Sequence, residues 1–68
     1  MPFVTIRVTA DDNTEEQKAR VIQGVTDVLV DVLGKDPAHT MVVIEEVAVE
    51  NWGIAGETVK NIRAKSGK

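Results

Sequence analysis

Cysteine is absent from the chain and histidine occurs once, at His39. The first absence excludes disulfides and thiolate metal sites. The second leaves too few imidazoles for one chain to build a catalytic zinc centre, which normally takes three protein ligands. Aromatic residues are nearly missing as well, Phe3 and Trp52 being the only two, so unpaired bases would find few rings to stack on. Positive charge falls short of negative: eight Lys and Arg stand against eleven Asp and Glu, for a formal net charge of −3 and a pI of about 4.9. A phosphate backbone calls for the opposite balance. Half of the positive residues, Lys60, Arg63, Lys65 and Lys68, crowd the end of the chain, where a solvated and frayed tail is the ordinary expectation. Nucleic acid is thereby set aside as a partner. No apolar run approaches the roughly 18 residues of a membrane span, and Met1-Pro2-Phe3 lacks the basic start of a secretion signal, so a cytoplasmic protein without a membrane partner is expected.

Length sets the next limit. A chain of 68 residues makes one domain covering positions 1–68, and a domain this small buries only roughly 60% of the surface its unfolded chain exposes. Small scaffolds make up the shortfall with disulfides, a metal or a partner subunit. With the first two excluded, self-association is the remaining staple.

The pattern of residues indicates an α/β arrangement. Between Pro2 and Val8, Val4, Ile6 and Val8 alternate with Phe3, Thr5 and Arg7, the period of a strand. A polar turn, Thr9 to Asn13, follows. Thr14-Glu15-Glu16-Gln17 then has the spacing of a capping box, so a helix is predicted from Glu15, its acidic first turn matching the positive end of the helix dipole. Val21, Ile22, Val25, Val28, Leu29, Val32 and Leu33 recur on one side of that helix, with Lys18, Gln23, Asp27 and Asp31 opposite. Gly34 and Asp36-Pro37 end it.

A second strand is expected from about Thr40 to Val47. Met41, Val42, Val43 and Ile44 are apolar on both parities, as in a strand covered on both faces. One helix covers one face; a second subunit has to cover the other. Strand, helix and strand make a βαβ unit, with parallel strands joined by a right-handed crossover. The segment from Glu50 to Glu57, with Gly53 and Gly56, reads as a short C-terminal hairpin; a phosphate loop would need a helix signal and a well-placed lysine that it lacks.

Few residues offer chemistry. Glu45 and Glu46 are adjacent on a strand and point to opposite faces, so they cannot share a proton. His39 sits in a polar turn and reads either as a general acid or as a plain surface histidine. The unusual feature is Met1-Pro2. An initiator methionine before a small residue is generally removed, which would leave Pro2 as a secondary amine at the start of the chain. Desolvation disfavours an ammonium ion, so such an amine against apolar walls becomes a neutral base near physiological pH.

Taken together, Pro2-Phe3-Val4, Thr14-Glu15-Glu16-Gln17-Lys18, Val43-Ile44-Glu45-Glu46-Val47 and Trp52-Gly53-Ile54-Ala55-Gly56-Glu57 resemble the 4-oxalocrotonate tautomerase family, over nearly the whole chain. The resemblance implies a tautomerase-like βαβ fold and keto–enol tautomerisation of a small 2-keto or enol acid, without a metal or organic cofactor. Pro2 would be the catalytic base, taking a proton from the carbon beside a carbonyl and returning one elsewhere. It also implies a homohexamer, built as a trimer of dimers. Trp52 matches the aromatic that lines the family's site. Asn13 and Met41 stand where the family typically carries two arginines that bind the substrate's carboxylate and polarise its carbonyl, so they are the remaining substrate-binding positions. Without those forked donors, a monoacid or a neutral aryl enol is the expected substrate, and Lys35, Lys60 or Arg63 of a neighbouring subunit are the candidate replacement cations. Two other readings keep the same fold: a noncatalytic assembly subunit, and a proline-dependent hydratase or dehalogenase.

Overall fold

The computed structural model describes residues 1–66; Gly67 and Lys68, the end of the basic tail, lie outside them. Strand β1 (Phe3–Thr9) is followed by helix α1 (Glu15–Leu33), a 3₁₀ turn at Pro37–His39, and strand β2 (Met41–Val47). A second 3₁₀ turn, Val49–Asn51, leads into a hairpin of β3 (Gly53–Ile54) and β4 (Glu57–Thr58), and the chain ends in helix α2 (Val59–Lys65). The expected βαβ unit is there: β1 and β2 pair in parallel, in register from Phe3 opposite Met41 to Thr9 opposite Val47.

Local chemistry sets the ends of these elements. Thr14 Oγ1 accepts from the Gln17 backbone N–H at 3.1 Å, and Gln17 Oε1 accepts from the Thr14 N–H at 2.9 Å, which completes the capping box. Gly34, at φ 64°, closes α1 in the left-handed region, with its N–H bonded to the Val30 carbonyl and the Lys35 N–H to that of Leu29. Asp36 Oδ1 caps the following turn through the Ala38 N–H at 2.9 Å, with Pro37 at its first position. That turn takes in His39 and delivers the chain to β2 one residue later than Thr40.

The C-terminus departs from expectation. Instead of a frayed tail, residues 59–65 form α2, capped by Thr58 Oγ1 on the Asn61 N–H at 3.1 Å. Its last turn carries Arg63 and Lys65, suited to the negative end of the dipole. The segment is too short to show helical periodicity, which is why its charge dominated the sequence reading.

Val4, Ile6, Val8, Val42 and Ile44 point toward α1 and are half-buried, as are Val25 and Leu29 of the helix. The covering is thin. Among the described residues Val59 is the only buried hydrophobic, and Phe3, Met41 and Val43 on the outer face are 65%, 46% and 40% exposed. Val28, Val32 and Leu33 of the predicted apolar stripe are also exposed, because a two-stranded sheet is too narrow to reach them. The accessible surface is 5148 Å², where a monomer of 7.4 kDa exposes about 4,200 Å². The radius of gyration is 15.4 Å, against about 11 Å for a compact chain of this length.

These exposed faces predict assembly. Introducing Met41→Lys with Val43→Lys should dissociate the protein and unfold it together, since each fully buried apolar side chain contributes roughly 1.5–3 kcal/mol and little stability remains in one chain. Light scattering and circular dichroism on the double variant check this; a folded double variant with unchanged mass would contradict it.

Candidate active site

The parallel ladder sorts the four predicted site residues into two groups. Pro2 sits half-buried at the start of β1, and its carbonyl accepts from the Met41 N–H at 3.0 Å. Pro2 and Met41 are therefore neighbours. Asn13 lies beyond the other end of β1, a seven-residue strand, hence ~20 Å away. Trp52 follows the far end of β2 across a 3₁₀ turn, a path too compact to return to Pro2. One chain thus brings Pro2 to Met41, and Asn13 to the same end of the sheet as Trp52, but does not unite the two pairs.

Around Asn13 the side chains are tied tightly. Asn13 Nδ2 donates to the Thr9 carbonyl at 3.3 Å and to Glu46 Oε2 at 3.1 Å, while Lys18 Nζ reaches Glu46 Oε1 at 2.7 Å. Arg63 comes in from α2 as a fork, Nη1 to Asp11 Oδ1 at 2.5 Å and Nη2 to Asp11 Oδ2 at 3.1 Å. Thr9 Oγ1 donates to the same carboxylate and accepts from Arg63 Nη2 at 3.3 Å. The hydrogen bonds from Arg63 and then Thr9 hold the Asp11 carboxyl down to about 2, and Lys18 and then Asn13 lower that of Glu46. The same pairing raises Arg63. Sequence reasoning missed Asp11 altogether, and took Arg63 as a free cation.

Other candidates are placed as plainly. Glu45 and Glu46 diverge as expected, Glu45 to Arg7 on the outer face at 3.5 Å and Glu46 to Lys18 on the helix side. His39 is largely exposed, its Nδ1 3.0 Å from Asp36 Oδ2. Lys35, just past the end of α1, is at the Pro2 end of the sheet, whereas Lys60 is on α2. A groove of ≈ 470 Å³ runs between β1 and α1, floored by Ile6, Val8 and Ile44 and edged by Asn13, Lys18 and Arg20. Pro2, Met41 and Trp52 do not line it. No three His, Asp or Glu side chains converge as metal ligands among the described residues.

The chemistry at Pro2 depends on its nitrogen. Joined to Met1, it is a tertiary amide without a basic lone pair; freed, it is a secondary amine held in place because the Pro2 carbonyl is fixed in the ladder. Such an amine can take up and return a proton within one substrate, an isomerisation that needs no second reactant.

Comparison with known proteins gives the chain its relatives. The family model described as Tautomerase enzyme matches residues 2–62. A protein of Dickeya dadantii named probable tautomerase K2 is 56% identical over 97% of this chain and 98% of its own length. The 2-hydroxymuconate tautomerase of Comamonas testosteroni is 44% identical, over 91% of this chain and 97% of its own. Among solved structures, DmpI from Helicobacter pylori superposes with a TM-score of 0.86 at 40% identity, covering 93% of this chain and 97% of that one. A heterohexameric 4-oxalocrotonate tautomerase of Chloroflexus aurantiacus, 21% identical with a TM-score of 0.83 over 93% of this chain and all of that one, shares the fold.

The Asp11 clamp makes an acid-sensitive contribution. A carboxyl held below its ordinary 3.8 stabilises the folded chain above that value and stops doing so as the pH falls toward about 2. The melting temperature of Asp11→Asn should lie below that of the unchanged protein at neutral pH, and the gap should close between about pH 4 and pH 2. A gap independent of pH would contradict the assignment.

Proposed function

Because the chain belongs to the tautomerase family, we propose that it is a cytoplasmic, cofactor-free keto–enol tautomerase whose base is the secondary amine of Pro2, exposed by removal of Met1. The observation that carries this reading is the position of Pro2: half-buried, at the mouth of the sheet, with its carbonyl tied to Met41. Family membership supports an isomerase over a noncatalytic subunit, since several relatives carry tautomerase names along nearly their whole length.

The site is completed by a second copy. A two-fold axis normal to the sheet keeps both helices on one face and pairs the free β1 edges antiparallel. That operation brings Pro2 of one chain toward the Asn13 end of the other and fills the groove beside α1. The exposed outer face, with Phe3, Met41 and Val43, serves a further contact, and a homohexamer made as a trimer of dimers uses both surfaces.

Substrate preference follows from Asn13 and Met41. The relative from Comamonas testosteroni is named for 2-hydroxymuconate, a diacid. Here neither position supplies a forked cation, and an unpaired carboxylate in a closed site is costly. Trp52 adds an apolar wall with one indole donor. The preferred substrate is a monoacid or a neutral aryl enol.

Two outcomes are expected. Protein beginning at Pro2 should tautomerise a simple enolised 2-keto acid and Met1-retained protein should not, with Pro2→Ala giving partial loss because a primary amine stays nearly in place. Equal activity with and without Met1, the two forms being told apart by intact mass, would remove Pro2 from the mechanism. Asn13→Arg and Met41→Arg together should raise kcat/KM for a diacid more than either alone, by about ten- to a hundredfold if each adds one charge-assisted contact in the transition state. A diacid preference in the unmodified protein would overturn the substrate assignment.

A further inference from the structure

The end of the sheet opposite Pro2 holds cations, and two of them, Arg63 and Lys18, are already engaged by carboxylates. Arg63 is forked onto Asp11 and bonded to Thr9. Lys18 is held by Glu46, the carboxylate that also takes the Asn13 amide. Asp12 adds a third carboxylate, with no ion-pair partner among the described residues. Two engaged cations thus face three carboxylates. Arg20, without an ion-pair partner among the described residues, edges the groove with Asn13 and Lys18, so the test has to separate it from Arg63.

We propose that Asp11 is a specificity-determining residue: by clamping Arg63 it withholds a guanidinium beside Asn13 that could receive a second substrate carboxylate, and so turns the site against diacids. The proposal rests on the reading that the Asn13 end of one chain faces Pro2 of another. A guanidinium has five N–H donors, and the fork with Thr9 uses three of them. The remaining N–H groups could still bond an incoming carboxylate, but the net charge they carry is already compensated by Asp11. Removing the Asp11 charge while keeping its shape frees the fork; removing Arg63 leaves Asp11 uncompensated. The two changes therefore push selectivity in opposite directions.

The test uses full-length protein beginning at Pro2, with 2-hydroxymuconate as diacid and 2-hydroxypenta-2,4-dienoate as monoacid. Asp11→Asn should raise the diacid-to-monoacid ratio of kcat/KM about tenfold or more, the scale of one charge-assisted contact in the transition state. Arg63→Gln should lower that ratio, and the double variant should lose the gain, which ties it to Arg63 rather than Arg20. A purely structural clamp would lower the melting temperature and both kcat/KM values together with the ratio unmoved, and that result overturns the proposal. A gain that persists in the double variant overturns it too. If the unmodified protein is active and only the ratio fails to respond, the error lies with Asp11 alone. If protein beginning at Pro2 is inactive on both substrates, the tautomerase reading fails and the proposal with it.

Discussion

Parallel pairing of β1 with β2 governs the rest of this molecule. Parallel strands put both of their starts at one end, so Pro2 and Met41 are hydrogen-bonded neighbours. They put both exits at the other end, where Asn13, Trp52 and the Arg63 clamp collect. Only a long crossover can join such strands, and α1 is that crossover, so its nineteen residues are also the cover of the sheet among the described residues. The chain consequently exposes one face of the sheet, one flank of the helix and two free strand edges. What it lacks by itself, both in buried surface and in site residues, is what the proposed pairing with a second copy would supply.

Much of this arrangement was legible in the residues. The alternation of Val4, Ile6 and Val8 and the two-sided apolarity of Met41 to Ile44 located both strands, and Thr14 with Gln17 located the helix start to the residue. The apolar parity of β2 also anticipated an uncovered face, which the structure identifies as that of Met41 and Val43. Helix α2 was hidden because Val59 and Ile62 span a single turn, and one turn has no period. The link from Arg63 to Asp11 was hidden for another reason: it joins positions 52 apart in sequence, and no local spacing encodes a contact made when the last helix folds back over the first strand's end.

The candidate site was only half legible. Pro2 stood out through chemistry that no other residue type provides, and Trp52, Asn13 and Met41 through resemblance. Their division between the two ends of the sheet could not be read from resemblance, since each stretch matches on its own. Charge was the least legible property. In the sequence, Arg63 counts as a candidate replacement cation and Lys18 as part of the helix's polar face; in the structure each is matched by a carboxylate held below its ordinary range. The Asn13 end is held together by ion pairs and at the same time made inhospitable to a second negative charge.

The proposed reaction turns on the amine of Pro2 acting as the base. It is tested most directly by labelling proline with ¹⁵N, following the Pro2 nitrogen by NMR across pH, and measuring kcat/KM for a monoacid enol on the same protein. The ascending limb of the rate profile and the titration of that nitrogen should share one midpoint. A rate profile that rises at a pH where the Pro2 nitrogen does not titrate would assign the proton transfer to another group.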